Sequence, residues 1–177
     1  TAGKTRYRLL ETTRAYALEK LAEADETAAI EAAHAQYFRR FFASCFDDST
    51  RLPDIEFRAR YTAEIDNLRL AVDWAFSQEG DVETGQALLG TSVEVWQALS
   101  LSIEMARLLD VAVMPLSAAT PAAVEAPLWF AVGITHEGSR PERAIPALER
   151  TVLLARGLHD DLFLGAVGPP LGARTDE

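Results

Sequence analysis

The sequence is poor in the residues from which cross-linked and reactive sites are built. A single cysteine, Cys45, stands among 177 residues, so no internal disulfide can form and a reducing cytoplasm is the natural setting. No apolar run approaches the roughly 20 residues that a membrane-spanning helix needs. The opening residues lack the charged segment and apolar block of a secretory leader, and no membrane partner is expected. The three histidines, His34, His136 and His159, are far apart in the chain, and none stands four residues from another as in a helical zinc pair. Asp47-Asp48 lacks the spaced oxygens and central glycine of a calcium loop. No Gly-x-Ser-x-Gly elbow occurs. Cofactor, metal and catalytic residues are therefore expected to be none, and the segment is read as a non-enzyme.

Basic residues are also few: 17 Lys and Arg stand against 27 Asp and Glu, a net charge of −10. A chain that wraps nucleic acid needs a basic face to displace counterions, so direct nucleic-acid contact by this segment is not expected. One local exception supplies an alternative. Lys4, Arg6, Arg8, Arg14 and Lys20 outnumber Glu11 and Glu19 near the start of the chain, and a nucleic-acid-binding module could use this basic N-terminal hairpin. A solvated face explains the same charges more economically. Gly3-Lys4-Thr5 carries the last letters of a phosphate-binding loop, but residues 6–10 alternate like a strand where that loop would run into a helix.

What the sequence does have is helical periodicity. After the strand-like residues 6–10, Thr12 or Thr13 can cap a helix whose face is Leu10, Ala17, Leu21 and Ala24. A second helix over residues 27–46 carries Ile30, His34, Tyr37, Phe38, Phe41 and Cys45 as its stripe. Residues 47–54 read as a polar loop. A third helix follows with Phe57, Tyr61, Ile65, Leu68, Val72, Ala75 and Phe76. Gly80 suits a left-handed position after it, and Asp81 can cap the next helix. Leu88, Leu89, Ser92, Trp96 and Leu99 then pair with Met105, Leu108, Leu109, Ala112 and Leu116 as an antiparallel hairpin.

A last hairpin places Leu128, Ala131, Val132 and Thr135 on one helix and Ala144, Leu148, Thr151 and Ala155 on the other. Those spacings are the packing positions of a tetratricopeptide unit, although Pro146 inside the second helix costs about 3 kcal/mol unless it lies in the first turn. The fold class is all-α: antiparallel helical hairpins stacked as a tetratricopeptide-like array, with a short N-terminal strand. Residues 1–26 form the first segment, 27–164 the array, and 165–177, rich in Gly and Pro, a disordered tail. The chain begins at Thr1 with a strand that needs partners, so it reads as part of something larger. Cys45 sits in an aromatic-rich stripe where burial keeps a thiol inert. His34 reads as a core or boundary histidine, and His159-Asp160-Asp161 as a polar turn. Most aromatics are core by spacing. Arg14 and the off-stripe Phe42, Trp74 and Phe130 are the candidates for an interface.

Tyr7-Arg8-Leu9-Leu10-Glu11-Thr12-Thr13-Arg14-Ala15-Tyr16-Ala17-Leu18-Glu19-Lys20-Leu21, then His34 with Tyr37 and Phe38, then Glu64-Ile65-Asp66-Asn67-Leu68-Arg69 with Ala71, Trp74 and Ala75, resemble the region after the nucleotide-binding module in bacterial STAND-type ATPases coupled to transcription regulators. The resemblance covers about residues 5–112 and fades through the final hairpin. It implies the end of a winged-helix segment followed by a helical array that senses a protein partner or regulatory ligand and acts on an upstream ATPase module of the same protein. No nucleotide-binding residue carries over, because no matching motif is present. Asp66, Asn67 and Arg69 are expected to bridge to the preceding segment rather than to hold a ligand.

Overall fold

The computed structural model describes residues 10–167. The expected strand over residues 6–10 lies outside them except for Leu10, which directly precedes the first helix. The described residues form an all-α fold without strands.

The helices are α1 (Glu11–Glu23), α2 (Thr27–Phe42), α3 (Cys45–Arg51), α4 (Asp54–Tyr61), α5 (Ile65–Ala75), α6 (Val82–Thr91), α7 (Val93–Ala98), α8 (Ser102–Val113), α9 (Ala122–His136), α10 (Pro141–Leu158) and α11 (Asp161–Val167), with a 3₁₀ turn at Thr62–Glu64 between α4 and α5. The C-terminal half is built on α9. This helix packs against α10 as a hairpin closed by residues 137–140, and its other sides meet α6 and α8. The N-terminal half is built on α5, which lies between α2 and α6. One continuous apolar core runs from Ala35 and Phe38 through Leu68, Leu88 and Trp96 to Leu128 and Phe163.

The final hairpin follows the spacing in the sequence closely. Leu128, Ala131 and Val132 on α9 and Ala144, Leu148, Thr151 and Ala155 on α10 are buried, while Thr135 of the expected face is half-buried. Gly133 lets the two helices close, since a Cβ there would stand 2.4 Å from Leu148 Cδ2. Gly90 does the same between α6 and α9, where a Cβ would fall 2.8 Å from the Leu128 backbone nitrogen. A backbone atom cannot move aside as a side-chain tip can.

Several boundaries differ from the periodicity. The second helix stops at Phe42, and the residues expected to form a polar loop become α3. Asp47 and Asp48 occupy its first turn, where carboxylates favour the positive end of the helix dipole. The third helix is broken by the 3₁₀ turn, and the Leu88 to Leu99 stripe divides at Ser92 into α6 and α7. Thr12 and Thr13 lie inside the first turn of α1 rather than capping it. Asp81 precedes α6 without capping it through its side chain.

Left-handed residues occur at Asp25, Ser100 and His159, not at Gly80. There the constraint is space, since a Cβ would stand 2.0 Å from the Trp74 carbonyl oxygen. The expected loss of structure at Gly165 begins too early, because α11 continues through Val167. Phe163 holds it, stacking on Phe46 at 4.9 Å between ring centroids and meeting Phe130 edge-on at 5.3 Å. Residues 168–177 lie outside the described part.

Candidate functional site

Two of the four interface candidates are core residues. Phe42 has no exposed surface and packs on Phe38, Phe41 and Tyr61. Phe130 is buried between Phe46 and Phe163. The reason is helical phase. The apolar arc of α2 is wider than one stripe, and the part that is buried is Ala35, Phe38 and Phe42. Ile30 and Tyr37, expected in the core, are left about half exposed at 50% and 55%. Arg14 lies on α1, with its side chain outside the described residues.

Trp74 remains at a surface, on the wall of a groove of about 360 Å³. Ile30, Glu31 and His34 supply the α2 wall, while Leu70, Asp73 and Trp74 supply the α5 wall. Leu18 of α1 closes one side. Ile30 and His34 are four residues apart, as are Leu70 and Trp74, so each pair shares a helix face. The groove is apolar at Leu18, Ile30, Leu70 and Trp74 and acidic at Glu31 and Asp73, with no lysine or arginine among the described residues of its wall. Neither carboxylate forms an ion pair among the described residues. Trp74 Nε1 is buried without a hydrogen-bond partner there, an arrangement that costs roughly 1–3 kcal/mol. Burial alone cannot distinguish this stripe from the core in sequence, because both faces of α2 and α5 are apolar.

The walls are held by polar links between helices. On α2, Gln36 Nε2 donates to Thr84 Oγ1 at 2.8 Å and Arg39 Nη2 to Glu83 Oε1 at 2.8 Å. Thr84 donates in turn to Asp81. These links fix α2 to the start of α6. On α5, Arg69 reaches forward to α8, donating from Nε to Glu104 Oε1 at 2.7 Å and from Nη2 to Glu104 Oε2 at 2.8 Å. Arg69 also lies over the Trp96 ring, 5.9 Å from its centroid. This fork raises the Arg69 pKa and holds the Glu104 carboxyl below its ordinary range. The expected bridge to the preceding segment thus runs to α8 as well, while Asn67 donates to Glu64 at 2.7 Å.

The remaining candidate residues occupy structural positions. Cys45 is buried, and desolvation pushes its thiol well up. Tyr61 donates to Asp48 Oδ2 at 2.6 Å, and Arg60 pairs with the same oxygen at 2.8 Å. Burial, then this hydrogen bond, raises the Tyr61 pKa. Glu94 is raised by burial. His136 is 3% exposed with Nε2 unpartnered, and burial, then Arg143 and Arg140, lower its pKa. In the polar turn before α11, His159 is left-handed and Asp160 Oδ1 accepts from the Phe163 amide at 3.3 Å. Among the described residues no group of three His, Cys, Asp or Glu is placed to hold a metal ion. No helix there is long and apolar enough to cross a membrane.

Fold and site together define an all-α assembly whose candidate site is an acid-edged apolar groove. Over 98 residues, 53% of the chain, the sequence is 40% identical to a protein of Mycobacterium bovis and to two of Mycobacterium tuberculosis, each provisionally named an HTH-type transcriptional regulator. The match covers 10% of each of these curated relatives. The similarity is to transcription regulators. No family model matches the chain, and no solved structure matches it.

Proposed function

We propose that the chain is a non-catalytic helical sensor and interaction segment of a STAND-type, ATPase-linked transcription regulator, which receives a protein or effector and regulates an upstream ATPase module. The observation that carries the reading is the groove between α2 and α5: an apolar surface fixed in shape by links to α6 and α8. The similarity to proteins named transcriptional regulators supports the setting. The resemblance of the Tyr7 to Leu21 and Glu64 to Trp74 segments supplies the ATPase link. Stacked helical hairpins suit such an arm, since each unit contacts its neighbours and leaves a long surface for a partner. A partner that binds one arrangement of arm and ATPase more tightly than the other shifts their populations.

The test is made on the longer protein. Its coding region ahead of Thr1 should encode a complete phosphate-binding loop, and deleting residues 27–164 should change its ATP turnover severalfold. A coding region without that loop sinks the ATPase link, and unchanged turnover sinks the regulatory role. The name HTH also bears on the alternative that residues near the N-terminus contact DNA. Tight, strongly salt-dependent binding of duplex DNA by the isolated chain would favour it, against the −10 charge.

A further inference from the structure

We infer that the groove between α1, α2 and α5 is a docking site for a cationic amphipathic helix of a partner protein, a proposal that rests on reading the chain as an interaction segment. Three observations converge on this occupant. The first is the apolar floor, where Leu18, Ile30 and Leu70 are each about half exposed, at 51%, 50% and 47%, beside Trp74. Large apolar side chains gathered at one concave site, rather than scattered singly, mark a contact surface, and a groove between two helices accepts the apolar face of a third.

The second observation is α1 itself. It runs for 13 residues, yet none of its described side chains is buried, and its principal neighbour is α2. A helix of this length takes most of its stability from packing of one face, and α1 leaves Tyr16 and Leu18 exposed. A partner helix resting on Leu18 and Ile30 would supply the missing contact and hold α1 against α2.

The third observation selects the charge. Glu31 and Asp73 stand in the groove wall without ion pairs among the described residues, and none of the described lysine or arginine side chains lines it. A second copy of this chain would bring carboxylates against carboxylates on two bodies each of charge −10, which opposes self-association. A helix with leucine-type residues on one face and Lys or Arg along its edges meets both requirements. The apolar face fills the floor, and the flanking cations meet Glu31 and Asp73. Trp74, an aromatic side chain in the wall, is of the residue type that dominates such contacts.

The test titrates the 177-residue chain into a fluorescein-labelled peptide of repeating Leu-Lys-Lys-Leu-Leu-Lys-Leu heptads, followed by anisotropy, with a Leu-Glu-Glu-Leu-Leu-Glu-Leu peptide in parallel. The lysine peptide should bind and the glutamate peptide should not. Ile30→Asp should weaken binding at least about tenfold, and the double variant Glu31→Lys, Asp73→Lys should do the same while flattening the salt dependence. Val111→Asp on α8, away from the groove, should bind as the parent chain does. Circular dichroism establishes that each variant keeps its helicity. Because Glu31 and Asp73 are exposed, the charge variant remains informative if Ile30→Asp does not fold. Equal binding of both peptides, binding indifferent to the groove variants, no binding of either peptide, or a dimer dissolved by the groove variants would each overturn the proposal. Its failure leaves the regulatory reading standing if deletion of residues 27–164 still alters ATP turnover in the longer protein.

Discussion

Trp96 has no exposed surface and joins three elements: its indole Nε1 donates to Ser92 Oγ at 3.1 Å, and the Arg69 guanidinium lies over its ring. Its stripe, with Ser92 one turn before it, was readable from spacing, but the contact with Arg69 was not, since that residue comes from a different helix. Trp96→Ala should cost about 3 to 5 kcal/mol, read as a shift of the urea midpoint at unchanged slope; a change near zero would show that the site is not a packing anchor. His136 makes a prediction of pH. Burial lowers its pKa below the ordinary 6.5, so the folded state resists the proton that the unfolded chain takes up. Stability should therefore fall as pH drops through about 6.5, and keep falling until pH passes the folded pKa. Glu104 and Asp110, both lowered by arginine hydrogen bonds, lose stability in the same direction at more acid pH, whereas raised Glu94 gains it. His136→Gln should remove the earliest part of the acid loss, measured as thermal midpoints between about pH 7.5 and about pH 5.5. Parallel curves for the two proteins would exclude His136 as its source.

At the scale of elements, α10 and α11 carry the clearest outcomes. Pro146 is the sixth residue of α10, beyond the first turn, and is exposed. It deprives the helix of one backbone hydrogen bond without a buried ring to offset the loss. Pro146→Ala should therefore stabilise the chain, by up to about 3 kcal/mol, in thermal or urea unfolding; a loss would mean that the proline is needed to seat α10 on α9. Phe163→Ala should cost roughly 3 kcal/mol, the low end for a buried phenylalanine because a short terminal helix can detach alone. Hydrogen exchange of the α11 amides should rise before that of α9 and α10, and uniform change across the three would show that α11 unfolds only with the whole. Periodicity placed the faces of α9 and α10 because a long two-helix hairpin buries one face on each helix. It failed at α3, a polar segment whose Asp48 is held from α4 by Tyr61 and Arg60.

In the whole molecule, acidity and polar cross-links act together. The surface is strongly negative, and ion pairs between separate helices, among them Arg39 with Glu83, Arg69 with Glu104, Arg143 with Asp110 and Arg150 with Glu125, involve arginine. The planar guanidinium can hold two oxygens at once, as Arg69 does. These links tie α2 to α6, α5 to α8, and α10 to α8 and α9. The groove therefore inherits its shape from contacts on the far sides of its two walls, and a partner there would meet a surface already organised for binding.

Composition and helical period by themselves determined that the described residues are all-α, that the last hairpin buries the Leu128 and Leu148 faces, and that Trp96 belongs inside. These follow from local rules: an apolar stripe repeats with the turn of its own helix whatever lies beyond it. The tertiary structure alone decided which of two apolar faces α2 and α5 turn inward. Phe42 and Phe130 went to the core, and Ile30, Leu70 and Trp74 to the groove, because that choice depends on the neighbouring helices and not on the spacing within one.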